Sequence, residues 1–175
     1  MKRVLAILVP VFFAGLALAP AFVHGQEAYE QLTGKTFDSA LPRDFYLEGN
    51  AIPTQKRNAA LLKTPTGARL LVSLIDTTGY SSQIQEKYIG MMIVEGGATV
   101  CGQKLAVGSY GFGLVKPKAA GEAATFRLYD QAGKDVASCA TKRDDAISRP
   151  RPLQVVLAAG QPAKLYLGRE WLELK

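Results

Sequence analysis

Histidine is almost missing from this chain: His24 is the only one among 175 residues. Without an imidazole, Ser-His-Asp and Cys-His catalysis lose their base. Histidine-based zinc sites and the usual pH switch near neutrality are lost with it. Tryptophan occurs once and cysteine twice. Two cysteines are too few for a disulfide-dense miniprotein, and 48% hydrophobic residues are too many for a disordered chain. Several signatures are also absent: Gly-x-Ser-x-Gly, Ser-x-x-Lys, the P-loop, Gly-x-Gly-x-x-Gly and the EF-hand loop. The glycines Gly108, Gly111 and Gly113 have the wrong spacing for a dinucleotide fingerprint and fall on a strand.

The N-terminus carries Met1-Lys2-Arg3 and then an apolar run to about Val23. A short basic segment followed by a hydrophobic one is the layout of a secretory signal peptide. Small residues flank two cleavage points, after Ala21 and after Gly25; the second is favoured because polar sequence begins at Gln26. An uncleaved anchor is the alternative, since the run approaches the roughly 20 residues that span a bilayer. Pro10, Gly15 and Pro20 interrupt it. Cleavage after residue 25 would remove His24 and lower the net charge from +6 to +4. That charge is too small and too evenly spread to imply nucleic acid. The expected product is periplasmic or secreted, with no stable membrane span after cleavage.

What the mature sequence has in quantity is strand signal. Residues 26–56 read as an irregular N-terminal arm packed along a sheet edge. Within it, a helical turn is expected over 27–32, and a turn with a short extended piece over 33–38. Residues 57–175 read as the folded domain. Pro65-Thr66-Gly67 separates two apolar stretches as a hairpin turn would, and Gln131-Ala132-Gly133 does the same for a second pair. Tyr88 to Val94 is continuously apolar, as expected for a strand buried on both faces or for one at the centre of a sandwich. Tyr110, Phe112 and Leu114 alternate with Ser109, Gly111 and Gly113. A glycine face of this kind leaves room for a neighbouring backbone, a bulky side chain or a ligand. About eight to ten strands, with no sustained helical period and no βαβ alternation, predict an all-β antiparallel sandwich of jelly-roll or immunoglobulin-like type.

Cys101 and Cys139 both fall on predicted strands. An exported chain with an even cysteine count favours a disulfide; two buried thiols are the alternative. The carboxylates Glu86, Glu95 and Glu170 at strand ends are the candidates for a histidine-free hydrolase. The turn acids Asp130, Asp135, Asp144 and Asp145 are the only grouping that could attract calcium. Lys56-Arg57, Lys142-Arg143 and Arg149-Pro150-Arg151-Pro152 are basic pieces able to touch an anionic surface such as phospholipid or lipopolysaccharide. Trp171 alternates with Leu172 and Leu174 and so faces away from them. Tyr166 is placed to share its face, which makes these two aromatics the binding candidates.

Gly102-Gln103-Lys104-Leu105-Ala106-Val107-Gly108-Ser109-Tyr110 resembles the Gly-Lys-x-Leu-Pro-x-Gly-x-Tyr hairpin of small secreted bacterial β-sandwich proteins of unknown function. Ala106 stands where those usually carry proline. The resemblance implies an envelope sandwich and brings no catalytic residue with it. The sequence thus points to a non-enzymatic exported binding module with no cofactor, whose partner is an envelope protein or a small ligand. A carbohydrate- or surface-binding module is the alternative, and a carboxylate hydrolase a further one. N-terminal mass spectrometry of the exported protein is expected to find Gln26 as the first residue; an intact Met1 would mean an anchored chain.

Overall fold

The computed structural model describes residues 29–117, 119 and 122–175. The expected signal peptide, residues 1–25, lies outside them. The described chain is all-β in two sheets, with two short helices. Its elements are β1 (Glu30–Leu32), α1 (Gly34–Ala40), β2 (Asp44–Leu47), β3 (Asn50–Lys63), β4 (Arg69–Ile75), α2 (Ser82–Lys87) and β5 (Gly90–Val94). They continue with β6 (Ala98–Val100), β7 (Gln103–Leu105), β8 (Gly108–Val115), β9 (Thr125–Tyr129), β10 (Asp135–Ala140) and β11 (Lys142–Arg143). The last three are β12 (Gln154–Val156), β13 (Ala163–Leu167) and β14 (Glu170–Leu174). The excess over the expected eight to ten strands comes from short pieces such as β1, β7 and β11.

The larger sheet runs β1-β3-β4-β5-β8-β9-β10, with β2 also paired to β3. Apart from its β1 edge it is a meander, in which each strand turns back beside its predecessor. Its one excursion is β6 and β7, which leave after β5 and belong to the smaller sheet, β12-β13-β14-β6-β7, with β11 on β14. Jelly-roll and immunoglobulin folds use Greek-key orders instead. The 102–110 segment is therefore a crossing from one sheet to the other, since β7 pairs with β6 while β8 pairs with β5 and β9. The Tyr110 hydroxyl closes this crossing by donating to the Ala106 carbonyl at 2.9 Å.

The two sheets share a core. Leu62, Leu70, Val72, Met92, Val94, Phe112, Phe126 and Leu128 from the larger sheet meet Val100, Leu105, Leu165, Leu172 and Leu174 from the smaller one. The larger sheet is also buried on its other face. There Leu61, Leu71, Met91 and Tyr129 pack with Phe45, Leu47, Ile52, Ile84 and Tyr88. This explains the unbroken apolar run of β5, since Met92 and Val94 serve one core and Met91 and Ile93 the other.

The arm differs in detail from its expectation. Residues 30–32 are a strand, because the edge of β3 offers unpaired backbone and Glu30, Gln31 and Leu32 take register with Lys63, Leu62 and Leu61. Residues 34–40 are a helix, which lays Phe37 and Ala40 against the second core. β3 runs through residues 56 and 57, so the arm and the sandwich share one strand.

The glycine face of β8 is filled. A methyl at Gly111 would lie 2.7 Å from the Tyr88 ring and 2.8 Å from Leu47, and one at Gly113 would lie 2.1 Å from the Lys87 carbonyl oxygen. Gly90 sits opposite Phe112 in register, and a methyl there would lie 2.2 Å from the Phe112 ring.

Cys101 and Cys139 form a disulfide with Cα atoms 5.2 Å apart. It joins the β6–β7 turn of the smaller sheet to the β10 edge of the larger one. Cys101 and Gly102 both have positive φ, 53° and 74°. They form a tight two-residue hairpin turn between Val100 and Gln103.

Two stability predictions follow from these contacts. Replacing both cysteines by alanine is expected to lower the unfolding free energy by about 4 kcal/mol, from the loop entropy of a 38-residue separation. Equilibrium urea unfolding with and without reductant measures it. Gly113→Ala is expected to cost about 2 kcal/mol, because a backbone carbonyl rather than a flexible side chain occupies the space. The same urea curves would show a lower midpoint at unchanged slope.

Candidate functional site

The two aromatics singled out by alternation lie together. Tyr166 and Trp171 are directly opposed across β13 and β14. Their rings are stacked, with centroids 6.0 Å apart. Leu165, Leu167, Leu172 and Leu174 alternate with them and are buried in the core, so the aromatic pair is on the outer face of the smaller sheet. Trp171 is half-buried, whereas Tyr166 is only 8% exposed. The segment leading to β12 crosses beside it. Asp144 accepts from the Tyr166 hydroxyl at 3.3 Å, the Ile147 carbonyl accepts from Arg169 at 3.0 Å and the Arg151 carbonyl from the Gly168 N–H. Burial, and then the charge of Asp144, raise the Tyr166 phenol above its ordinary value.

Lysines frame the indole. Lys164 Nζ lies 4.4 Å from the Trp171 ring centroid and Lys142 Nζ 4.7 Å, both within cation–π range. Register explains the placement. Lys142 is opposite Trp171 on β11, and Lys164 is opposite Glu173 on β13. Glu173 accepts from Lys175 at 2.9 Å and Lys142 at 3.4 Å. These lysines, Lys175 foremost, hold its carboxyl below the usual range.

Beside the indole the smaller sheet has a gap. β14 pairs with β11 through Glu170 and Trp171, and the chain meets β6 only from Leu174, opposite Val100, to Lys175, whose backbone bonds to Thr99. Leu172 and Glu173 face the opening between. Thr141 makes this gap, because the chain turns there from β10 in one sheet to β11 in the other. Its buried hydroxyl contacts the Ala124 carbonyl at 3.0 Å and a Glu170 carboxylate oxygen at 2.6 Å. The resulting slot, about 210 Å³, is lined by Trp171, Lys142, Lys175, Glu173 and the Cys101–Cys139 bridge among others.

The carboxylates of the hydrolase reading are dispersed. Glu95 is engaged by both forks of Arg69 at 2.5 and 2.6 Å. Glu170 is engaged by Thr141 and Arg143, and Glu86 is exposed on α2. Among the turn acids, Asp130 accepts from the Lys134 N–H, Asp145 from Arg143 and Asp144 from Tyr166. Among the described residues no group of three His, Cys, Asp or Glu side chains is placed to hold a metal ion.

One cluster escaped sequence reasoning. Glu48 and Gly49, both at positive φ, make the tight turn between β2 and β3. The Glu48 carboxylate accepts from Lys87 Nζ at 2.5 Å and from the Tyr88 hydroxyl at 2.7 Å. Lys87 also donates to the Gly133 carbonyl at 2.7 Å and lies 4.8 Å from the Tyr129 ring centroid. The sole advance sign was Gly49 between two apolar stretches. These bonds tie the 48–49 turn, the end of α2 and the β9–β10 turn together.

No protein-family profile, curated protein or solved structure matches the chain. No helix among the described residues is long and apolar enough to cross a membrane.

The Glu48 cluster sets an acid dependence. The hydrogen bond from Lys87, then that from Tyr88, hold the Glu48 carboxyl below its usual 4.5. A lowered carboxylate adds stability that is complete above the unfolded value and is lost as pH falls through the folded one. Glu48→Gln is therefore expected to destabilise the protein at neutral pH and to converge on the parent as the pH drops below about 4.5. Paired urea midpoints across that range measure it; a constant difference at all pH values would contradict it.

Proposed function

We propose that the protein is a non-enzymatic, exported binding module whose recognition surface is the outer face of the smaller sheet. The observation that carries this reading is Trp171, half-buried on that face with Lys142 and Lys164 over its ring. Tryptophan is favoured at binding hot spots because one rigid side chain supplies a large contact area. Its ring is already backed by Tyr166 and needs little ordering when a partner arrives. Thr99, Lys104, Lys142, Lys164 and Lys175 share the face with a single strand carboxylate, Glu173. An acidic surface on an envelope protein is the partner whose charge fits, with the lysines steering approach.

The flat stacking of a sugar on a row of aromatic rings has less support. Tyr166 is buried beside the 144–152 segment, which leaves one ring, and lysines lie over it. The disulfide fits an oxidising compartment.

Site-specific photocrosslinking in the intact envelope tests the proposal. A crosslinker at Thr99 or Val156 is expected to trap one recurring protein, and a crosslinker at Tyr46, outside this face, is not. Trp171→Ala should weaken the yield at the first two positions by about tenfold or more. Equal capture from both faces, or capture indifferent to Trp171, would overturn the proposal.

A further inference from the structure

Two of the basic pieces that stand far apart in the sequence converge in space. Arg57 belongs to β3 and Arg151 to the segment entering β12, and both line one cleft of about 450 Å³ between the two sheets. The cleft is more than twice the size of the slot beside Trp171 and within the range of small-ligand sites, roughly 300–1,000 Å³.

A bulge builds one wall. β3 pairs Thr54 with Ile75 and Ala59 with Ser73, so residues 55–58 oppose Leu74 alone. The bulge is held from within. Gln55 donates to the Ile75 carbonyl at 3.0 Å, and Asn58 donates to Gln55 at 2.8 Å. Bulges re-aim side chains and are common beside active sites. Here the bulge separates neighbours: Lys56 pairs with Asp38 at 2.8 Å, while Arg57 lines the cleft. The other wall is fixed by Leu153, buried in the main core, and by Arg151, whose carbonyl accepts from Gly168 at 3.1 Å. Gln31 and Gln154 add amide groups to the lining.

The cleft holds no carboxylate in its lining. Neither guanidinium has an acidic partner among the described residues, although Arg69 and Arg143 both do. Two arginines without acidic partners in the lining of one cleft bring more fork donors than a carboxylate's two oxygens can use. A phosphate group has oxygens enough for both. We infer that this cleft is a phosphate-binding site, separate from the Trp171 face and independent of the partner proposed for it.

Two probes test the site, and they separate a soluble phosphate from a lipid headgroup. Amide chemical shifts of the isotopically labelled protein are followed during titration with inorganic phosphate, against chloride at matched ionic strength. Saturable changes are expected at Ala59, Ala60, Gln154 and Val155, with affinity about tenfold weaker in Arg57→Gln and in Arg151→Gln. In parallel, flotation with phosphatidylcholine vesicles is compared with and without phosphatidylglycerol. Flotation that requires both arginines assigns the phosphate to a lipid headgroup; cleft shifts without flotation assign it to a soluble ligand. Both arginines are exposed, and unchanged circular dichroism of the variants confirms that the fold is kept. Shifts that never saturate, shifts centred on Lys104, Lys142 and Lys164, or binding indifferent to both arginines would overturn the inference.

Discussion

The larger sheet is apolar on both faces, and this governs the rest of the molecule. β4 and β5 offer a buried residue to each side at almost every step, so neither face can be left to water. The smaller sheet covers one face. The other is covered by a patchwork of α1, β2, α2 and the turns between them. A patchwork needs ties that a hydrogen-bonded sheet does not. Glu48, Lys87 and Tyr88 supply them with charge-assisted hydrogen bonds at the rim of the second core. The glycines of β8 allow the fit, since the Tyr88 ring and the Lys87 carbonyl sit where methyl groups would otherwise be.

The smaller sheet has the opposite character. One face enters the core through Leu165, Leu172 and Leu174. The other carries the tryptophan, its lysines and the gap beside β14. Thr141 couples the two sheets within a single residue, and the disulfide does so again from the β6–β7 turn. The indole is thus held over a doubly anchored corner, while the clefted end near Arg57 lies on the β3–β12 side.

Much of this was legible in the residues. Period-two alternation located β8 and β14, and turn chemistry located the β3–β4 and β9–β10 hairpins. The continuous run at 88–94 correctly implied burial on two sides. Alternation also placed Tyr166 and Trp171 on one face. The failures were of a different kind. β1 is a strand only because the β3 edge is there to pair with, and no local pattern carries that information. α2 is six residues long, too short for a helical period, and its sign was a single capping serine, Ser81, whose side chain accepts from the Ile84 N–H. Whether a short strand stays in its sheet or leaves it, as β6 and β7 do, depends on long-range pairing. For the same reason the placement of Arg57 and Arg151 on one cleft, and the contact of Glu48 with Lys87, could not be read from spacing.

The excursion of β6 and β7 bears on how the chain acquires its structure. β7 pairs with β6, and β6 finds its other partner in β14, through Leu174 and Val100, more than seventy positions later in the chain. Apart from the β5–β8 step, the meander from β3 to β10 pairs sequence neighbours, and such local pairings carry a low loop-closure cost. A chain emerging N-terminus first completes that meander while β6 and β7 still lack their neighbour. During this interval Val100 and Leu105 lie uncovered beside an open strand edge, a liability for aggregation. The hairpin of β13 and β14 supplies the missing neighbour, so covering the edge of β6 depends on residues 163–175.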